Sequence, residues 1–415
     1  MEEIGNPDAP AIGQPILRWS SRTNSLAGIE AELAKVWSST PLTTAGDDGA
    51  PERRIAARTS VLNLVVIARQ PEIGERAAAV IRMLTGRHPS RTLIVSSADP
   101  DGPSWLDAHI QAHCVLPRAD AAETCAEFID LVAGGETGRH VAAIVAPLLV
   151  HDLPVTVWWP GDPPLGTRQA RDMLDMADRL VVDGSHWSGN GLERLRALAR
   201  VVASHQASGD SLAVSDFAMI RQSRWREAIA SSFDRPELRP FLTGLTDITV
   251  RYAAHHETDT DGTNLIKPLY HVGWLASRLD MVVTEPLRPA VANPEVDPAE
   301  SDPEDLGPPL VGELRAGRRR VRISISPLTS TMPPGTTLTV ELAARRRGVD
   351  LAVVVSAEAD AVLVHATLDG REMPVRRFMA PRRTEVELLA ETVESVGVDP
   401  VAVAALFAAA DLVPA

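Results

Sequence analysis

The feature that most constrains this chain is a regular alternation of short apolar runs and amphipathic segments between residues 61 and 204. Val61–Ala68 is an apolar, β-branched run, the pattern of a strand buried on both faces. Pro71 opens a helix that runs to Leu84, since proline in a first turn forfeits no hydrogen bond, and Gly86 serves as its cap. Thr92–Ser96 and Trp105–Leu116 read as strands, Ala119–Val132 as a helix and Val141–Leu149 as another strand. Pro154–Trp158 is a strand entering a turn at Trp159-Pro160-Gly161. The helix Thr167–Ala177, the strand Arg179–Val182 and the helix Leu192–Ser204 continue the series. Such alternation predicts an α/β fold: a mixed sheet with helices on its faces.

The flanks read differently. Residues 1–58 form an N-terminal arm, with one helix at Leu26–Trp37 and a loop at Thr40–Pro51. Ser215–Phe233 reads as one helix capped by Ser215, followed by a strand at Thr246–Ala253 and a helix at Thr263–Leu279. Thr284–Val311 holds seven prolines and seven acidic residues against one arginine, which predicts a linker or flexible loop. Strands follow at Arg320–Ser326, Thr336–Leu342, Asp350–Ser356, Val362–Leu368 and Val375–Met379. Helices at Thr384–Val396 and Pro400–Ala410 close the chain. The expected division is an arm at 1–58, an α/β domain at 59–210, a helical and mixed segment at 211–283, the linker at 284–311, and a strand-rich α+β segment at 312–415. The two segments around the linker together make a C-terminal domain.

A net charge of −14 has the wrong sign for a phosphate-backbone binder or an anionic membrane surface. No apolar run reaches the length of a membrane span, and Met1–Gln14 lacks the basic and apolar regions of a signal peptide. A cytoplasmic protein with no nucleic-acid or membrane partner is therefore expected. Cys114, on a strand, and Cys125, on a predicted helix, make no disulfide framework; burial as small hydrophobes is expected of each, with a redox pair as the alternative. The arginine-rich chain has just two lysines, Lys35 and Lys267.

No phosphate loop, HExxH, GxSxG elbow or paired CxxC is present, so no catalytic residue, metal ligand or cofactor is predicted. Gly189-Asn190-Gly191 lacks the third glycine of a dinucleotide fingerprint, Arg194 standing in its place. His255-His256 near Asp259 and Asp261 lacks ligand spacing, and His151-Asp152 lacks a nucleophile. The aromatics are more informative. Only 4% of residues are aromatic, yet eight are tryptophan. Adjacent Trp158 and Trp159 on a strand point to opposite faces, so one enters the core and the other turns outward or into a groove. Trp225 aligns with Arg221 and Ile229 on one helix, beside Arg226. Core packing is the default for each tryptophan, but tryptophan and arginine are also enriched at interface centres. That makes Trp158, Trp159, Arg221, Trp225 and Arg226 the candidate partner-binding residues.

The run Leu148-Leu149-Val150-His151-Asp152-Leu153-Pro154-Val155-Thr156-Val157-Trp158-Trp159-Pro160-Gly161 resembles the hallmark of the OpcA family, the glucose-6-phosphate dehydrogenase assembly proteins. His88-Pro89-Ser90-Arg91 precedes it in the family's order, and Ala177-Asp178-Arg179-Leu180-Val181-Val182-Asp183 follows. Asp216-Phe217 with Arg221, Trp225 and Arg226, and then Gly273-Trp274-Leu275-Ala276-Ser277-Arg278-Leu279, complete the set, with departures at Met219 and Arg224. The resemblance implies a non-enzymatic protein that binds glucose-6-phosphate dehydrogenase and promotes its oligomerisation and activity. The competing expectation is an α/β enzyme or sensor that binds a sugar phosphate or NADP-type nucleotide through His88, Arg91, Gly189 and Gly191.

Overall fold

The structure, a computed structural model, describes residues 13–39, 60–99, 101–116, 124–255, 262–290 and 306–414, with short strands at 43–45, 51–53 and 57–58. It divides into two compact units: residues 1–182 with 384–396, and residues 183–383 with 397–415. It is a mixed α/β protein, with a helix-flanked mixed sheet in the N-terminal part and a strand-rich α+β C-terminal part.

The first unit holds β1 (Pro15–Thr23), α1 (Leu26–Ser39), β2 (Leu62–Ala68), α2 (Pro71–Arg82), β3 (Ser90–Ala98), β4 (Trp105–Val115), β5 (Thr124–Gly134), β6 (Val155–Trp159), α3 (Arg168–Leu174) and β7 (Arg179–Val182). Its strands lie in the order β1-β4-β5-β3-β2-β6-β7. β5, β3, β2, β6 and β7 run parallel to one another, while β4 and β1 add antiparallel partners. Parallel strands need crossovers and are covered on both faces, which is why β2 and β6 carry almost no exposed position.

Several local expectations are corrected. Ala119–Val132 is not a helix: residues 117–123 lie outside the described residues, and Thr124–Gly134 is a strand. Its helical spacing of apolar residues is broken by Glu127, which is buried because it meets Arg91 of β3. Val141–Leu149 is not a strand but two helical turns, Val141–Val145 and Ala146–Leu148. The arm contains β1, paired along β4, and Thr43–Ala45 pairs with Pro51–Arg53 inside the expected loop. Cys114 and Cys125 are both buried, as expected, but they face each other across the β4–β5 ladder and form a disulfide where free thiols were the first expectation.

The second unit contains α4 (Leu192–Ser208), β8 (Ala213–Asp216), α5 (Phe217–Arg221), α6 (Ser223–Ser232), β9 (Leu245–Ala254), α7 (Ile266–Arg278), β10 (Val282–Pro289), β11 (Leu310–Ala316), β12 (Arg319–Thr329), β13 (Thr337–Arg346), β14 (Val349–Ala357), β15 (Ala361–Leu368) and α8 (Pro400–Asp411). The strands order as β10-β11-β12-β9-β13-β14-β15, antiparallel except for the β9–β12 pair. Buried residues alternate with half-exposed or exposed ones: Val321, Ile323 and Ile325 face inward, Arg320, Arg322 and Ser324 outward. α6 and α7 pack on the inner face. The single helix expected at Ser215–Phe233 is a strand followed by two helices, and its cap is Asp216, which accepts from the Ala218 N–H at 2.8 Å. The expected linker begins and ends in β10 and β11; residues 291–305 lie outside the described residues.

Gly273 on α7 explains one of the closest approaches. A Cβ there would lie 2.5 Å from the Ala405 carbonyl oxygen and 2.8 Å from the Ala409 Cβ, so only glycine lets α8 cross at this distance.

Candidate functional site

The polar centre of the second unit is built around Asp183 and Asp216. Asp216 ends β8 and is fully buried. Its Oδ1 accepts from the Gly184 N–H at 2.9 Å and the Ala218 N–H at 2.8 Å, and its Oδ2 from the Tyr270 hydroxyl at 2.8 Å. Burial, aided by the nearby negative charge of Asp183, pushes the Asp216 carboxyl up to about 6 against those three donors. Burial acts on Asp183 in the same direction, but bonding from His186 and the charge of Arg221 outweigh it and hold Asp183 below its usual range. Arg221 reaches both Asp183 oxygens through Nη1, at 2.8 and 2.7 Å, and donates to Ser185 Oγ at 3.0 Å. Asn264 donates to the carbonyls of Gly184 and Trp187, so residues 183–187 are clamped from two elements.

This clamp positions one wall of a pocket of about 390 Å³ that lies entirely within the second unit. Arg221, Arg224, Lys267, Arg382 and Arg383 line it, with Glu358 as the lining carboxylate. Trp225, Met332, Pro333 and Thr337 supply its less polar wall. Lys267 is the second residue of α7, at the positive end of that helix dipole, and its backbone carbonyl accepts from Gln222 at 2.7 Å. Its ammonium is pulled below the ordinary lysine range, first by burial and then by the charges of Arg221 and Arg382, against the opposing charge of Asp183. Lys267 donates no hydrogen bond and makes no ion pair with a described residue, and neither does Arg382. Thr337 is 5% exposed and its hydroxyl has no hydrogen-bond partner among the described residues.

Of the five candidate residues, the structure brings Arg221 and Trp225 together on this pocket. Trp225 is half-exposed and tilts against the His271 ring at 5.3 Å. His271 is wholly enclosed, and burial, with the charge of Arg226, drives it down to about 3, so it is neutral. Arg226 donates to the Met219 carbonyl at 2.7 Å, tying α6 to α5. Trp158 and Trp159 are elsewhere. They are 1% and 3% exposed, so neither turns outward or lines a groove, contrary to what adjacency on a strand suggests. The cause is the interior position of β6, where both faces are covered.

Three of the four residues of the alternative expectation, His88, Arg91 and Gly191, also have structural roles. His88 Nε2 lies 2.8 Å from Glu394, and Arg91 donates to Glu127 at 2.5 Å and to the Leu148 carbonyl at 2.9 Å. Asn63 bonds the backbone of Val150 and Leu153, so the hallmark loop before β6 is held from β2 and β3. Gly191, with φ +76°, caps α4 and has the Ile266 side chain where a Cβ would stand. His255 Nε2 lies 2.9 Å from the Met332 carbonyl oxygen; residues 256–261 lie outside the described residues.

Sequence reasoning missed Lys267, Arg382 and Thr337. The rarity of lysine in this chain was the one available signal, because the three come from segments far apart in sequence. No described helix is long and apolar enough to cross a membrane.

Comparison with known proteins agrees with the residue pattern. Residues 81–200 match the OpcA family model described as the glucose-6-phosphate dehydrogenase subunit N-terminal domain, and residues 212–406 match the corresponding C-terminal domain model. A putative OxPP cycle protein OpcA from Synechocystis is 26% identical over 189 residues, 45% of this chain and 36% of that protein. Its namesake from Synechococcus elongatus is 24% identical over 206 residues, 49% of this chain and 42% of that protein. The matched region thus spans less than half the length of these curated relatives. Among solved structures, a levoglucosan dehydrogenase in complex with NADH and L-sorbose aligns at a TM-score of 0.41 and 12% identity, over 84% of this chain and 87% of that one. A likeness of that size carries no functional argument.

Proposed function

The chain belongs to the OpcA family of glucose-6-phosphate dehydrogenase subunits, and from that premise we propose that it is a non-catalytic partner of glucose-6-phosphate dehydrogenase. In this reading it binds the dehydrogenase, favours its oligomerisation and raises its activity in the cytoplasm. The observation that carries the proposal is the succession of two dehydrogenase-subunit domain models along one chain, at 81–200 and 212–406. The site chemistry supports it. Asp183, Asp216, Tyr270, Arg91 and Glu127 are each engaged in holding backbone or a buried counter-charge.

Arg221 and Trp225 are the candidate contacts, since they combine partial exposure with the residue types that anchor interfaces. Trp158 and Trp159 are buried in the first unit's sheet and are not contacts in this reading. A protein that binds only the assembled dehydrogenase shifts the assembly equilibrium by its differential affinity, and a tenfold shift needs about 1.4 kcal/mol. The test is to mix this chain with its cognate dehydrogenase and follow both particle mass and glucose-6-phosphate kinetics. A heavier complex with changed kinetics is expected; unchanged mass and unchanged kinetics would reject the proposal.

A further inference from the structure

We infer that the pocket between Trp225, Lys267 and Arg382 is a receptor for a phosphate ester of metabolite size. The first ground is charge. Five cationic side chains and one carboxylate line the pocket, in a chain whose net charge is −14. The lining carboxylate, Glu358, already accepts from Arg377 at 2.7 Å, and the adjacent Asp183 is already shared by Arg221 and His186. Arg224 is paired with Glu227 at 2.7 Å, which leaves Lys267 and Arg382 as the lining cations without an ion pair to a described residue, and a phosphate monoester carries about two negative charges near neutral pH.

The second ground is unused hydrogen-bonding capacity. Lys267 is a half-buried ammonium that feels the charge of Asp183 but has no hydrogen bond or ion pair to a described residue, and a charge removed from water without a direct partner is costly. Thr337, which also lines the pocket, has a buried hydroxyl with no hydrogen-bond partner among the described residues. Both are donors, the kind of group an oxyanion accepts from. The third ground is size and shape. A volume of about 390 Å³ lies at the lower end of small-molecule sites and is too small for a dinucleotide. Phosphate oxygens meet Lys267, Arg221 and Arg382, and the body of the molecule lies against Trp225 and Pro333.

The inference concerns the isolated chain, so its failure leaves the dehydrogenase reading untouched. Calorimetric titration of the full chain with glucose 6-phosphate, inorganic phosphate and glucose tests it. Saturable binding of the two phosphates but not of glucose is expected, with the ester bound more tightly than the inorganic ion. Lys267→Met and Arg382→Ala should each weaken the ester about tenfold or more, the range of one charge-assisted hydrogen bond. Arg382 is exposed and has no hydrogen bond or ion pair to a described residue, so its variant should keep the fold, and circular dichroism checks both proteins. Absence of phosphate binding at millimolar concentration, or binding unchanged in both variants, overturns the site. Inorganic phosphate binding as tightly as the ester overturns the metabolite-sized ligand.

Discussion

Tyr270 donates its hydroxyl to Asp216 at 2.8 Å, joining α7 to the end of β8 across 54 residues of sequence. The bond is one of three that offset the burial of a carboxylate pushed up to about 6 from its ordinary 3.8. Because the folded carboxyl holds its proton more tightly than the unfolded one, protonation favours the folded state. The stabilisation is full below about pH 3.8 and is lost as pH rises through about 6. The denaturation free energy of the native protein minus that of Asp216→Asn should therefore fall by up to about 3 kcal/mol between pH 4 and 6, then stay level. Denaturant titrations at several pH values check this, and Tyr270→Phe should move the transition upward in pH.

Arg91 and Glu127 form a buried ion pair between neighbouring parallel strands. Removing Arg91 alone takes the counter-charge from a carboxylate in the core, so Arg91→Ala should cost about 3–5 kcal/mol. The double variant Arg91→Leu, Glu127→Leu should cost less than the single one. Equilibrium unfolding of the three proteins decides it.

Gly273 stands where a methyl group would overlap the Ala405 carbonyl. Gly273→Ala should destabilise the second unit by about 1–3 kcal/mol as α8 is forced away, and Gly273→Val by more. Thermal unfolding monitored on each variant gives the comparison.

Cys114 and Cys125 close a short loop across an antiparallel ladder. Replacing both with alanine should lower stability by about 2–4 kcal/mol. Comparing unfolding of the oxidised, reduced and substituted proteins separates the covalent link from packing.

The α/β alternation was legible because β2, β3, β6 and β7 are short runs bounded by turn residues and separated by amphipathic helices. The reading failed where burial is set by tertiary cover. Thr124–Gly134 spaces Phe128, Ile129 and Val132 like a helix, because a strand covered on both faces has no alternation to display. Val141–Leu149 is an apolar run too short to tell a strand from helical turns. β1 escaped notice as a half-exposed strand of mixed polarity. At the candidate site, Arg221 and Trp225 were visible as a helical pair, but their pocket is not local. Lys267, Thr337 and Arg382 meet them only once the sheet and α7 are in place.

The tryptophans separate core from surface. Trp158→Ala should cost about 3–5 kcal/mol of stability, as expected for emptying a buried aromatic site. Trp225→Ala should cost less stability but weaken dehydrogenase binding by about 2 kcal/mol or more. Unfolding and binding measured on the same preparations show which protein loses which property.

The most direct measurement is the dissociation constant between the purified native chain and its cognate glucose-6-phosphate dehydrogenase, read by mass photometry across a dilution series. A saturable complex that shifts the enzyme toward larger oligomers is the predicted result. Particles that keep the separate masses of the two proteins at every concentration, with the enzyme's oligomer distribution unmoved, would contradict it.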